Sequence, residues 1–169
     1  MKKGILFLTL FAAFAMILGS CSKDKDSASN NGGGGNNYGT ITLANQSFTI
    51  SHSGYEVEYD EDLDANIVGI GLATADDQKG AAIAIPFYST VPTGQFTLTV
   101  TEDPEEGDGG LAIILNSNPA YVATEGTITI SPNGDNYTID ASGKALSTSG
   151  TDVKNFTLHF TGPLPYYEN

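Results

Sequence analysis

Twenty carboxylates and two histidines in 169 residues are the side chains best suited to do chemistry in this chain. Asp60, Glu61, Asp62 and Asp64, with Asn66, have the alternate spacing that lets the oxygens of one loop converge on a Ca²⁺ ion. The EF-hand pattern is not met, because Ala65 stands where that loop turns on glycine and Gly71 where it closes with glutamate. Glu102, Asp103, Glu105, Glu106 and Asp108 form a second cluster ahead of Gly109-Gly110. Crowded carboxylates are relieved by a cation or by water and salt. Each cluster therefore reads first as solvated charge and second as a Ca²⁺ site, with Asp60, Asp62 and Asp64 as ligands. No cofactor is required. His52 falls in a turn between Ser51 and Ser53, and His159 on the strand face opposite Phe156, Leu158 and Phe160. Neither has a histidine nearby, so zinc would need long-range assembly and both are expected at the surface. There is no Gly-x-Ser-x-Gly elbow, no cysteine to spare as a nucleophile, and no marked carboxylate pair for glycoside hydrolysis. The chain is expected not to be an enzyme. Among 8 tyrosines and 8 phenylalanines, with no tryptophan, the best candidates for exposed, ligand-binding rings are Tyr88, Tyr166 and Tyr167, which read first as second-face core packing or a plain C-terminal tail. Tyr88 falls on the face opposite Ile83 and Phe87.

Cys21 is the only cysteine. Ahead of it, Lys2 and Lys3 precede an apolar run from Ile5 to Leu18, the charged and apolar regions of a secretory signal. A retained membrane helix is the alternative, but that run falls short of the roughly 20 residues that cross a bilayer. Leu18-Gly19-Ser20-Cys21 resembles the bacterial lipobox, which implies cleavage before Cys21 and acylation of its thiol and freed amine. Two or three acyl chains hold a protein at a membrane where one does so only marginally. With its one thiol acylated, the mature domain holds no disulfide and must be stabilised by its own core.

Residues 22–37 contain Ser, Lys, Asp, Asn, Ala and the run Gly32 to Gly35, the composition of a flexible tether. Its root-mean-square span is about 20–24 Å, with a stretched limit of about 55 Å. Lys23, Asp24, Lys25 and Asp26 resemble the charged signal with which Bacteroidetes send lipoproteins to the cell surface. Asp26-Ser27-Ala28 resembles their O-glycosylation site, with Ser27 as the acceptor. These resemblances imply an outer-membrane anchor with the domain facing the cell exterior. The acidic residues are not contiguous, as they are in the commoner forms of the signal, so a periplasmic-facing domain stays open.

The formal charge is −13, and removing Lys2 and Lys3 leaves 5 lysines against 20 acidic residues, −15, with no arginine. Such a surface repels nucleic acid and anionic headgroups and favours solubility. The expected partners are the membrane, through the anchor, and a glycan or protein ligand.

Period-two alternation runs through residues 39–161 without a helical period. Tyr55, Val57 and Tyr59 share one face, with Glu56 and Glu58 on the other. Val68, Ile70 and Leu72 are separated by Gly69 and Gly71. Phe96, Leu98 and Val100 alternate with threonines, and Leu111 to Leu115 is an unbroken apolar run expected to be buried on both faces. Asn133-Gly134 signals a hairpin, and Pro86 suggests an edge strand or a bulge. About nine or ten short strands are expected in one antiparallel sandwich or meander barrel. The organisation is thus a signal peptide over 1–20, lipidated cysteine and tether over 21–37, and an all-β domain over 38–169.

Val91-Pro92-Thr93-Gly94-Gln95-Phe96-Thr97-Leu98, Gly126-Thr127-Ile128-Thr129-Ile130 and Phe156-Thr157-Leu158-His159-Phe160-Thr161-Gly162 resemble phrases of small Bacteroidetes surface lipoproteins with β-sandwich-like domains. The resemblance implies a fold class and a habitat, and no activity. The expected function is a non-catalytic, lipid-anchored surface module for binding or accessory work. The alternatives are a pilus-like, fimbrillin-related subunit and, third, a small hydrolase. Fimbrillin-like subunits commonly mature by cleavage after arginine, and past the tether this chain has only Lys79, Lys144 and Lys154 as basic residues.

Overall fold

The computed structural model describes residues 37–168, apart from Glu102 and Ser117. Cys21, Lys23 to Asp26, Ser27 and most of the tether lie outside the described residues. No helix among the described residues is long and apolar enough to cross a membrane.

Ten strands follow one another: β1 (Gly39–Leu43), β2 (Gln46–Ile50), β3 (His52–Asp60), β4 (Ala65–Ala73), β5 (Lys79–Pro86), β6 (Gly94–Leu98), β7 (Asp108–Leu115), β8 (Asn118–Asn133), β9 (Asn136–Ser147) and β10 (Val153–Gly162). They form one continuous curled sheet, a half-barrel, in the order β2-β1-β10-β9-β8-β6-β7-β5-β4-β3. The all-β class and the strand number agree with the alternation in the sequence. The antiparallel meander needs correction. β6 pairs antiparallel with β8 and parallel with β7 at Thr97↔Asp108 and Leu98↔Gly109. The loop between Leu98 and Asp108 returns the chain to start β7 alongside β6, where a hairpin would have reversed it.

The edge strands β2 and β3 are consecutive in the chain. Ser51, 8% exposed, joins them and donates its backbone N–H to Ala73 O at 2.8 Å. The first half of this stretch pairs with β1 and the second with β4, so the two edge strands of the curled sheet meet end to end at Ser51. Past Gly162 the chain runs along the free side of β3. There Ser53 Oγ donates to Pro163 O (2.6 Å), Tyr55 N to Pro165 O (2.9 Å) and Tyr167 N to Tyr55 O (2.8 Å).

Alternation decides which side chains fill the curl. Ile41, Ile50, Val68, Ile70, Leu72, Ile83, Ile85, Phe96, Leu111, Ile113, Ile128, Phe156 and Phe160 belong to one core cluster, each no more than 2% exposed. On β1, β6, β8, β9 and β10 the intervening residues are mostly threonine, serine and charged side chains, several of them open to water. On β4, β5 and β7 both faces are buried almost throughout. Leu111 to Ile114 meet the two-faced expectation. Their neighbours Gly69, Gly71, Ala82 and Ala84 extend the same property to strands that alternation alone leaves half-buried.

Two local expectations are also corrected. Pro86 is the last residue of β5, a strand flanked by β4 and β7; pairing with β7 stops at Ala84, so its missing N–H costs no ladder bond. The hairpin after β8 has Gly134 and Asp135 as its two loop residues, one position later than Asn133-Gly134 suggests. Gly134 takes the first loop position with φ +63°, a conformation that suits a residue without Cβ.

Candidate functional site

A cleft of about 540 Å³ opens where the β2 edge approaches the start of β5 and the end of β7. Gln46, Ser47 and Phe48 line it from β2, Lys79 from β5, and Leu115 and Asn116 from the end of β7. Period two turns Phe48 towards the core side, where it stands half-buried opposite Ile41. The Lys79 ammonium lies 5.0 Å from the centre of that ring, held by the negative face of the aromatic quadrupole. Ser47 Oγ is 2.9 Å from Thr42 Oγ1. Two primary amides, a hydroxyl, an aromatic ring and one cation thus meet with no carboxylate in the lining.

In a chain this acidic, Lys79 is distinctive. Lys144 pairs with Glu125 at 2.5 Å, and Lys154 with Asp152 at 3.0 Å. Lys79 has no carboxylate oxygen within ion-pair distance among the described residues. Sequence reasoning marked Lys79 only as a conceivable processing position. The available signal was only that it is one of three lysines past the tether. Gln46, Phe48 and Asn116 carry no motif, and the curl that brings the β2 edge near the start of β5 and the end of β7 is what gathers them.

Asp60, Asp62 and Asp64 share the β3–β4 loop but do not converge as a metal cage. Asp60 Oδ1 accepts the backbone N–H groups of Asp62 (2.9 Å) and Leu63 (3.0 Å). Asp64 accepts the Tyr59 hydroxyl, and this bond holds the Tyr59 phenol above its ordinary range. No group of three potential metal-binding side chains is found among the described residues. Such a loop uses its carboxylates to satisfy its own turn.

The expected rings exchange places at one position. Phe87 follows Pro86 with φ +70°, which breaks the alternation, and its ring is 42% exposed. Tyr88 turns inward instead and meets Phe96 edge-on at 5.8 Å. Tyr166 is 51% exposed and leans on Tyr55 at 5.2 Å, whereas Tyr167 is half-buried over Gly54. None of the three tyrosines lines the cleft.

His52 and His159 stand at the surface, each beside an aspartate: His52 Nδ1 to Asp77 at 2.9 Å and His159 Nδ1 to Asp140 at 2.7 Å. Neither pair borders the cleft. Tyr121, Asp152 and Lys154 form a third polar group. Lys154 Nζ lies 2.8 Å from the Tyr121 hydroxyl, which donates to Asp152 Oδ2 at 2.8 Å. The Tyr121 hydrogen bond, then Lys154, hold the Asp152 carboxyl below its usual range; the same contacts with Tyr121 and Asp152 raise Lys154. Glu56 is a surprise of a different kind. It sits on the face the alternation predicts, yet is only 3% exposed. Comparison with protein-family models, curated proteins and solved structures returned no match for this chain.

Proposed function

We propose that this chain is a non-catalytic, lipid-anchored binding module on the outer face of the outer membrane. Its binding site is the cleft lined by Lys79, Phe48, Gln46 and Asn116, and its ligand a glycan bearing an acidic group. The observation that carries this reading is a cation over an aromatic ring, flanked by amides and outside ion-pair distance of any carboxylate among the described residues. Amide side chains donate to and accept from sugar hydroxyls, the ring offers an apolar face, and the ammonium supplies the counter-charge. The surrounding negative charge rejects anions that do not fit the cleft, so specificity comes partly from repulsion. Neither His–Asp pair lines the cleft, which suits a binder better than a hydrolase. The bend at Ser51, where consecutive strands serve opposite sheet edges, favours a barrel-like closure over a sandwich.

Ligand-detected NMR with a uronic-acid tetrasaccharide and its neutral counterpart tests the site. Binding of the acidic sugar alone, lost in Lys79→Gln, is expected; equal response to both sugars, or an unaffected variant, overturns it. Co-purification from intact cells reports a protein ligand instead. The anchor is tested by Cys21→Ala, expected to leave the detergent phase in a phase partition. Replacing Lys23 to Asp26 with alanine should hide the domain from protease added to whole cells. Equal digestion of both forms removes those residues from any role in export.

A structural-subunit role has one observation in its favour. Pro165 to Tyr167 add to the β3 edge by backbone hydrogen bonds, a contact that could be exchanged between copies.

A further inference from the structure

The two edges of the sheet differ. The outer side of β3 carries the segment from Pro163 to Tyr167, which pairs with Tyr55. The outer side of β2 carries no strand among the described residues. Two hydrogen bonds show which of its backbone groups are left open. Ile50 O accepts the Tyr38 N–H at 2.9 Å on the β1 side, and Ser51 N–H donates to Ala73 O at 2.8 Å on the β4 side. Backbone groups change sides at every residue of a strand. Gln46, Phe48 and Ile50 are therefore turned to β1, while Ser47 and Thr49 turn their N–H and C=O away from it. Both residues are exposed, and Ser47 lines the cleft. Natural sheets rarely leave such an edge bare. Width limits what can use it. β2 and β5 come within 8 Å between Cα atoms, and they do not pair. A further strand laid between them needs about 9.5 Å, two ladder spacings. Where they converge, a peptide strand is too wide and a single polar group is not.

A secondary amide is such a group. Its N–H and C=O point to opposite sides of a planar trans unit, so one amide spans two walls, as each peptide unit does inside a sheet. On one wall of the cleft stands the open Ser47 backbone. On the other stands the Asn116 side-chain amide, which both donates and accepts and so meets either end. Leu115 and the Phe48 ring, both half-buried, give the same cleft apolar surface, the right lining for a methyl group. Lys79 supplies the positive charge. Given the cleft as the binding site proposed above, on which this inference rests, we propose that the glycan it takes carries N-acetyl groups as well as acid groups. The acetamido unit of an N-acetylhexosamine lies between Ser47 and Asn116, with its methyl on Leu115 and Phe48. The carboxylate of a neighbouring sugar lies against Lys79. A uronate chain without acetamido groups meets Lys79 but leaves the Ser47 edge to water. A neutral N-acetylated chain fills the edge and leaves Lys79 without its counter-charge.

Calorimetric titration of the full chain with three tetrasaccharides tests this. The first alternates uronic acid with N-acetylhexosamine, the second is uronic acid alone, and the third is N-acetylhexosamine alone. The first is expected to bind at least about tenfold more tightly than the second, from two added hydrogen bonds and one buried methyl. The third is expected to bind more weakly than the first. In amide-resolved NMR the Ser47 N–H should shift with the first sugar and not with the second. Asn116→Gly, which accepts the φ of +53° at that position, should narrow the preference for the first sugar over the second. Equal affinity for the first and second sugars, both lost in Lys79→Gln, overturns the acetamido assignment and leaves the acidic-glycan reading standing. Acidic sugars that bind Lys79→Gln as well as the parent, or bind neither, overturn that reading and this inference with it. A preference undiminished by Asn116→Gly, with the Ser47 N–H unshifted, puts the acetamido group elsewhere and overturns the site.

Discussion

Leu164→Ala tests whether the C-terminal segment is part of the cooperative fold. Leu164 is 7% exposed and belongs to the core cluster, and its neighbours along β3 hold the segment by three hydrogen bonds. Leucine-to-alanine changes in cores cost about 2–5 kcal/mol, and a site at the margin of the core falls at about 2–3 kcal/mol. Unfolding entropy near 2.1 cal/mol/K per residue gives about 0.28 kcal/mol/K for a domain of roughly 130 residues. The loss therefore lowers Tm by about 9 °C. Pro165→Ala is the control. Its carbonyl still accepts from Tyr55, so only unfolded-state entropy changes, and the cost stays below about 1 kcal/mol. Thermal melts followed by far-ultraviolet circular dichroism measure both. A Leu164→Ala melt within about 2 °C of the parent would show that the segment undocks on its own, outside the cooperative core.

Asp152 carries the clearest pH dependence. Its folded pKa is depressed, so its contribution is present above the unfolded value of about 3.9 and fades as pH falls through the lower folded value. Asp152→Asn should flatten the fall in Tm between about pH 4 and pH 2; an unchanged acid limb removes the Tyr121–Asp152–Lys154 group from stability. Gly126 faces Gly143 across β8 and β9 with φ +141°, and a Cβ there would sit 2.2 Å from Ser142 O. Gly126→Ala should cost about 3 kcal/mol or more by clash and strain together, against about 1–2 kcal/mol for Gly134→Ala, whose added Cβ meets nothing. Denaturant titrations that rank them the other way would refute the β8–β9 register. Melts in millimolar Ca²⁺ and in chelator at matched ionic strength should superimpose. A shift of about 5–10 °C, abolished by Asp60→Asn with Asp62→Asn, would restore a metal role to that loop.

Much of this architecture was legible in the chain. Alternation of Phe156, Leu158 and Phe160 with Thr157 and His159 fixes which face of β10 enters the core, because side chains change sides at every residue and only one set is apolar. The same logic places Val68, Ile70 and Leu72. The unbroken run from Leu111 to Leu115 announces a strand covered on both sides. Gly134 marks its hairpin because the turn needs positive φ. These are local consequences of stereochemistry and hydrophobicity, and they need no knowledge of neighbours.

Neighbour order does need it. A strand such as Thr40-Ile41-Thr42-Leu43 offers the same backbone ladder and apolar face to almost any partner, so nothing in it says that β10 will lie on one side and β2 on the other. Only the closed set of pairings bends the chain at Ser51, inserts β6 between β7 and β8, and brings Phe48, Lys79 and Asn116 to one cleft. The burial of Glu56 is of the same kind. Its position on the convex face follows from period two, but how much water reaches that face depends on what the assembled sheet has lying over it. Sequence by itself determined the strands and their inward faces, because those follow from residues next to one another. Tertiary structure decided the junction at Ser51, the cleft and the burial of both faces of β4 and β5, because each is made by residues that only long-range pairing brings together.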